Sequence, residues 1–202
     1  QPYYYVVKFE ETFGIWIQKM SGAVKVADMI FPADNQNTIV LGGFFSGFAS
    51  IGLTSVPYTG SLNGALFSLY TSTGSLARFP KLVYEASGIY SGPKLAATSD
   101  SYYLIGTYIG IFIVEGTSYF NSQAENSLLI RQFIDNSTAS YVIPIHGGVS
   151  YSRKVTRVHA IPEGAIVGGT TYWNAPDAFP YLPPTQFNPS FDNFYVKFNR
   201  TK

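Results

Sequence analysis

The clearest pattern in the chain is a run of uncharged residues from Tyr102 to Val114, between Asp100 and Glu115. Read with a period of two, the run places β-branched residues on one face, while glycine alternates with large residues on the other. Isoleucine and glycine both disfavour a helix, whereas β-branched side chains pack well on a pleated sheet. The run therefore predicts a long strand, buried on both faces, at the middle of a β-sheet protein.

Further strands are predicted along the rest of the chain, separated by clusters of Gly, Pro and Asn. Asn63-Gly64 fits a two-residue hairpin turn, and Gly92-Pro93 fits a second turn. The candidate strands cover residues 1–9, 13–17, 23–31, 38–41, 44–53, 59–62, 65–71, 81–90, 141–145, 148–153, 155–161, 165–173 and 191–198.

One short helix is predicted at 122–134. Ser122 and Glu125 have the spacing of a capping box, and Leu128, Leu129 and Phe133 follow at helical intervals. With strands every 8 to 12 residues elsewhere, the fold class is all-β. We expect a single antiparallel β-sandwich over 1–202, jelly-roll or Ig-like, with at most this one helix and with residues 1–9 as a candidate exchanged strand.

An uncharged segment runs from Gln36 to Ala77. Gly, Ser and Thr interrupt it every few residues, so it is not a continuous apolar block. A segment with so few charges suits strands that are covered on both faces. The cover is the protein's own second sheet, a glycan layer or a neighbouring subunit.

Composition narrows the possible functions. Charged residues make up 12% of the 202 residues and aromatic residues 17%, with a net charge of +1. This balance gives no electrostatic footprint for nucleic acid, and Arg153, Lys154 and Arg157 are read as a solvated strand face. The absence of cysteine excludes disulfides and thiolate chemistry. No transmembrane helix is expected, because the run at 102–114 is too short and its Gly106 and Gly110 read as close-approach positions of a strand.

The sequence contains no recognisable catalytic or metal-binding constellation. His146 and His159 lack the spacing of metal ligands, and the acidic residues stand at predicted strand ends, where solvated carboxylates are ordinary. We therefore predict that the chain is not an enzyme and holds no metal or cofactor.

The chain begins at Gln1 without a methionine or an apolar leader, which suggests a mature secreted product at the cell surface or outside the cell. Asn136 and Asn199 begin Asn-x-Ser/Thr sequons, the acceptor pattern for glycosylation. We expect both in loops or in the terminal tail.

The first functional hypothesis is an extracellular structural subunit that self-assembles as a filament, surface layer or capsid. Interfaces between subunits are rich in aromatic residues and poor in charge at their centres. The N-terminal segment has the character of a donor strand, which leaves its own domain to complete a neighbour's sheet. Its residues are Tyr3, Tyr4, Tyr5, Val6, Val7 and Phe9. The partners would be copies of the same chain, and the alternative is that this segment is the first strand of its own sheet.

The second hypothesis is a carbohydrate-binding module or lectin on a β-sandwich, with glycans as partners. Aromatic side chains stack on sugar rings, and nearby polar groups orient them. The candidate platform comprises Tyr172, Trp173, Asn174, Asp177 and Phe179. Trp173 also fits an ordinary role as a core or loop anchor.

Overall fold

The structure, a computed structural model, is built from antiparallel strands that match the all-β prediction. It describes residues 3–10, 13–32, 35–56, 62–87, 89–135, 141–145, 153–171 and 192–199, and no helix occurs among them. The strands are β1 (Tyr3–Glu10), β2 (Phe13–Ile30), β3 (Thr38–Ile51), β4 (Thr54–Val56), β5 (Leu62–Tyr70), β6 (Leu76–Ala86), β7 (Ile89–Ala97), β8 (Ser101–Val114), β9 (Thr117–Phe133), β10 (Tyr141–Ile145), β11 (Arg153–Ile161), β12 (Gly164–Thr171) and β13 (Asp192–Asn199).

The described strands form two sheets. The larger has the order β1-β2-β3-β5-β6-β8-β9-β10, with β4 paired to β3 and β7 paired to β8, and the smaller has the order β11-β12-β13. Every strand pair is antiparallel. The sheets pack face to face, and this arrangement is consistent with a β-sandwich.

The predicted central strand is confirmed as β8. Its residues from Ser101 to Tyr108 are all buried, so this half is covered on both faces. Tyr103 and Ile105 pack against the small sheet, whereas Ile111, further along β8, remains 44% exposed. Burial on both faces is therefore limited to the first half of the strand, whereas the second half buries one face, with Phe112 and Val114.

One core lies between two parts of the large sheet that face each other. Val40, Leu66 and Tyr84 come from β3, β5 and β6, and they meet Leu104 and Phe112 of β8. The ring of Tyr84 stacks on that of Phe112 at a centroid distance of 4.5 Å. The curled sheet thus buries apolar side chains against itself.

A second core covers the opposite face of β3 and β5. Leu41, Phe45 and Phe67 lie there, and Tyr4 and Trp16 from the N-terminal strands pack over them. Much of β3 and β5 is therefore buried on both faces by the chain itself. For these two strands, the protein's own layers provide the cover that the uncharged segment predicts.

The third core joins the two sheets. Tyr103, Leu129 and Ile145 of the large sheet meet Val155 and Val167 of the small one. A buried polar contact crosses the same interface, because the Val155 N–H donates to the Ser127 hydroxyl at 3.1 Å. Ser127 also shares a hydrogen bond with Thr107.

The predicted helix at 122–134 is wrong. This segment belongs to β9, which pairs with β8 on one side and β10 on the other. The residues of the capping-box pattern fall at a bulge, where Tyr108 pairs with Asn126 and Gly110 pairs with Asn121. An irregular insertion in a strand supplies the local pattern that suggested a helix start.

Both predicted turns in the middle of the chain are also wrong. Asn63 and Gly64 lie inside β5, where a side chain on Gly64 would collide with the ring of Tyr84. Gly92-Pro93 lies inside β7, at an irregularity where Gly92 approaches Ala27. Gly64 leaves room for the ring of its cross-strand partner Tyr84, and Gly92 allows β7 to approach β2, so neither glycine reverses the chain.

Several predicted strands are longer than their patterns indicated. Segments 13–17 and 23–31 form the single strand β2, and segments 38–41 and 44–53 are joined in β3. Gly22, with φ near 90°, sits at a register shift in β2. The described chain has no helix of the length and apolarity required to cross a bilayer.

Candidate assembly surface

The N-terminal hairpin, defined as residues 3–10 and 13–21, combines an inward and an outward apolar face. Val6 pairs with Gln18 and Val7 with Ile17, so successive residues of β1 point to opposite sides. The alternation Tyr-Tyr-Tyr-Val-Val would place aromatic rings on both faces of any strand that it forms. This single strand therefore carries both core residues and surface rings.

The inner face of the hairpin is anchored to the rest of the molecule. Tyr4 and Val6 pack against the core of β3 and β5. The Trp16 indole Nε1–H donates to the backbone oxygen of Thr71 at 2.8 Å, and its ring fills the space that a side chain on Gly74 would need. These contacts hold the hairpin over the sheet.

The outer face of the hairpin exposes an apolar surface, which we call the outer patch. Its members are exposed by between 41% and 67%: Tyr3, Tyr5, Phe9, Ile15 and Ile17. The Lys19 ammonium lies 3.8 Å from the ring centroid of Tyr3, at the base of the hairpin. Contiguous apolar surface of this kind marks an interaction site more often than isolated exposed residues do.

A cleft of about 670 Å³ opens between the hairpin and the sheet beneath it. One wall is formed by β1 and Trp16, and the other by Val26, Met29, Phe31 and Ile39. Lys8 is the one charged residue in this lining. The cleft is therefore suited to an apolar occupant.

A second apolar feature is the tip formed by Phe48 and the Gly52–Leu53 turn, which we call the β3–β4 tip. Phe48 is 91% exposed and Leu53 is completely exposed. Gly52 has φ near 57°, and its N–H donates to the Lys19 backbone oxygen at 3.0 Å. The turn that presents Leu53 is thus tied to the base of the hairpin.

A small polar pocket of about 80 Å³ lies at one end of the sheet. Arg78 and Tyr102 line it, and the Arg78 Nη1–H donates to the Ile134 backbone oxygen at 2.7 Å. Burial raises the pKa of Tyr102, and the positive charge of Arg78 opposes that rise. The volume suits ordered water and not an organic substrate.

The structure places the predicted site residues unevenly. The predicted assembly strand is β1, at the edge of the large sheet, and Asn199 is an exposed residue at the end of β13. Asn136 and the candidate sugar platform, Tyr172, Trp173, Asn174, Asp177 and Phe179, lie outside the described residues. Within the described ranges, no cluster of three or more His, Asp or Glu residues is placed to hold a metal ion.

Sequence reasoning missed the β3–β4 tip and the sheet wall of the cleft. Leu53 was included in a predicted strand, although Gly52 beside it is a turn signal. The predicted strand at 23–31 contains Met29 and Phe31, and its pattern does not set them apart from other strand residues. Met29 is 54% exposed and Phe31 is 61% exposed, and no local sequence pattern records this exposure.

Comparison with known proteins identifies no relative of this chain. No family model matches the chain, and no curated protein or solved structure gives a significant match to it.

Proposed function

We propose that this chain is an extracellular structural subunit that assembles with copies of itself, and that it does so by donating β1 to a neighbouring subunit. The observation that carries the proposal is the position of β1: it lies at the end of the large sheet and presents exposed aromatic rings on its outer face. The proposal covers filaments, surface layers and capsids as forms of the assembly.

The edge position and the outer patch both favour a protein partner. Among the described strands, β1 pairs with β2 alone, so its other edge joins no strand ladder. Soluble proteins commonly protect such an edge with charge or proline, because an open apolar edge recruits other chains. The exposed parts of Tyr3, Tyr5 and Phe9 together offer roughly 350 Å² of aromatic surface, taking about 200 Å² for each whole ring. That area approaches half of what one partner buries in a typical specific interface, about 800 Å².

After exchange of β1, the contacts that it makes within one chain would form again between two chains. The strand ends at Glu10 and β2 begins at Phe13, so only a short connection joins β1 to the strand that it would leave. In an exchanged pair, Val6 of one copy would face Gln18 of the next, with the same register as within one chain. Tyr4 and Val6 would fill the same core positions in the neighbour, which is why such exchange is a low-cost route to assembly.

In this proposal the protein acts outside the cell. A chain without cysteine gains no disulfides there and depends on packing for stability. The exposure of Asn199 at the end of β13 suits a glycan at its sequon. Intact mass of the native protein tests this directly, since a glycan adds the mass of whole sugar residues.

An engineered disulfide across β1 and β2 tests strand donation. Val7 and Ile17 are direct partners, and the chain contains no other cysteine to interfere. In the double variant Val7→Cys and Ile17→Cys, donation links one chain to the next, and a non-reducing gel then shows a ladder of oligomers. The matched control is Ile113→Cys with Ser118→Cys, a pair inside the β8–β9 hairpin.

The control pair should close within one chain whether or not the protein assembles. If the Val7–Ile17 pair also closes only within single chains, in material that electron microscopy shows to be polymeric, donation is wrong. If the wild-type material contains no polymers, self-assembly itself is wrong.

A further inference from the structure

We infer that a sugar residue carried on Asn199 packs into a pocket between the two sheets and links β13 to the large sheet. The inference rests on the proposed function for its extracellular setting, in which the sequon at Asn199 carries a glycan. It adds a binding site for the first sugar of that glycan. It does not depend on how copies of the chain assemble.

The pocket, which we call the inter-sheet pocket, is built on a row of side chains across three neighbouring strands. Tyr103 of β8 pairs with Arg131 of β9, and Arg131 pairs with Tyr141 of β10, so the three side chains share one face of the large sheet. Phe198 and Asn199 at the end of β13 complete the lining from the small sheet. The volume is about 120 Å³, and the pocket is partly open to solvent. Asn199 is an exposed residue, so it lies at the rim.

Arg131 supplies hydrogen-bond donors to the pocket. Its Nε–H donates to the Ser101 hydroxyl at 2.9 Å, and its Nη2 is paired with the Asp100 carboxylate at 3.4 Å. The guanidinium also lies 4.4 Å from the centroid of the Phe133 ring, so it is held in place. Among the described residues, none accepts a hydrogen bond from Nη1 of this side chain, which is only 11% exposed. The hydroxyl oxygens of a sugar are acceptors of the kind that this donor needs.

The charge around Arg131 favours a neutral ligand. Asp100 balances the positive charge of the guanidinium at the edge of the pocket. An anion would have to compete with this carboxylate, whereas a sugar hydroxyl accepts a hydrogen bond without adding charge. The ligand chemistry that fits is therefore a neutral polyol and not a phosphate or a carboxylate.

The rest of the lining suits the apolar face of a sugar ring. Tyr141 is 47% exposed, so part of its ring is free to stack on the C–H groups of a sugar. The other apolar members of the lining are Leu129, Val142, Ile143 and Phe198. Sites for small organic ligands commonly combine such an apolar wall with a few placed polar groups.

The size of the pocket favours a tethered sugar over a free one. A cavity of about 150 Å³ encloses one benzene ring, so this smaller pocket takes only part of a sugar ring. A free sugar held along one edge binds weakly, whereas a sugar attached at the rim has an effective concentration in roughly the millimolar range. Asn199 provides that attachment, and the sugar ring begins one bond from its amide nitrogen.

Attachment at Asn199 is a group transfer from a sugar that is activated as a phosphate ester at its anomeric carbon. A bond forms between the anomeric carbon and the Asn199 Nδ2, and the bond from that carbon to the phosphate oxygen breaks. The amide nitrogen gives up one proton, which the departing phosphate ester takes. No oxidant or reductant is needed.

A double-mutant cycle with the glycan as one member tests the contact. The chain is expressed in cells that glycosylate sequons, and Thr201→Ala destroys the sequon while it keeps Asn199. Tyr141→Ser should lower the melting temperature of the glycosylated chain by about 2–4 °C more than that of the Thr201→Ala chain, because only the former loses a contact with the sugar. Tyr141→Phe keeps the ring and should lower both melting temperatures equally, if at all.

Tyr70→Ser is the matched control. Tyr70 is 44% exposed, which is close to the exposure of Tyr141, and it lies outside the inter-sheet pocket. Its substitution should change the melting temperature equally with and without the glycan. A second measurement is the rate at which an amidase releases the glycan from the folded protein. Release should be at least tenfold faster from Tyr141→Ser than from the wild type, and the two rates should be equal after unfolding.

The possible failures are distinguishable. Equal effects of Tyr141→Ser with and without the glycan, or equal release rates from the two folded proteins, would overturn the inter-sheet site and leave glycosylation intact. A native chain whose peptide mass shows no sugar at Asn199 would overturn both the site and the glycan, while polymers of that chain would still support self-assembly. A glycosylated chain that shows the coupling but forms no polymer would remove self-assembly alone.

Discussion

Three tyrosine hydroxyls are buried in the cores without a hydrogen-bond partner among the described residues: those of Tyr84, Tyr103 and Tyr108. Burial raises the pKa of Tyr84 far above its ordinary value. Burial, with a smaller contribution from nearby Tyr119, raises that of Tyr108 to about 12. The aromatic rings stabilise the cores by packing. Their buried hydroxyls, which lack a hydrogen-bond partner there, destabilise the folded state.

Because burial raises the pKa of Tyr84 and of Tyr108, we predict that the protein loses stability in alkaline solution. Tyrosine in the unfolded chain ionises near pH 10, while Tyr84 and Tyr108 stay protonated in the folded chain. The unfolded state thus loses protons first, and the free energy of unfolding should fall as the pH rises from about 10 to 12. Urea unfolding followed by fluorescence at pH 7, 9, 10 and 11 measures this fall.

Tyr84→Phe separates the hydroxyl from the ring. The variant keeps the stack on Phe112 and removes a buried group that lacks a partner. The free energy of unfolding at pH 7 should be unchanged or higher by up to about 1 kcal/mol, and its fall above pH 10 should become shallower. The exposed Tyr3→Phe should leave both quantities unchanged. A clear loss of stability at pH 7 in Tyr84→Phe would show that the hydroxyl is satisfied.

Gly64 provides a packing prediction. A Cβ at this position would overlap the ring of Tyr84, whereas a Cβ on Gly106 would meet Phe112 at an ordinary 3.6 Å. Gly64→Ala should therefore lower the free energy of unfolding by about 1–3 kcal/mol. Gly106→Ala, also in the interior of a strand, should lower it by less. Equal effects of the two substitutions would contradict the close approach of Tyr84.

At the scale of elements, the sequence was most informative where a strand carries a long uncharged run. The run at 102–114 predicted β8 correctly, because β-branched residues on one face, with glycine alternating with large residues on the other, suit a strand between two layers. The same situation misled the interpretation of β9. Leu128, Leu129 and Ile130 face two different cores in succession, and a continuous apolar run of this kind does not distinguish a buried strand from a helix.

Ser127 in β9 links the two sheets, so its substitution should lower the free energy of unfolding. Its hydroxyl accepts the Val155 N–H and shares a hydrogen bond with Thr107. Ser127→Ala leaves a buried backbone N–H without this acceptor and should lower the free energy of unfolding by about 1–3 kcal/mol. Ser118→Ala, at an exposed position of the same strand, is the control and should have little effect. Chemical denaturation measures the free energy of unfolding of both variants. Similar free energies for Ser127→Ala and Ser118→Ala would contradict the link between the sheets.

At the scale of the whole molecule, the structure changes the meaning of the uncharged segment. Layers of the same chain cover β3 and β5, so these strands no longer argue for a neighbour. The surfaces that favour a partner are those that the chain leaves open: the outer patch, the cleft and the β3–β4 tip. The fold class was predictable from local patterns, whereas these surfaces depend on how the hairpin crosses the sheet and were not.

Electron microscopy of the purified 202-residue chain over a wide range of concentrations, with sedimentation velocity on the same samples, tests self-assembly most directly. We expect regular polymers in wild-type material, and their loss when residues 1–9 are deleted from a chain that still folds. A wild-type protein that stays monomeric and monodisperse at the highest concentration, without any polymer in the images, would contradict the proposal that this chain is a building block.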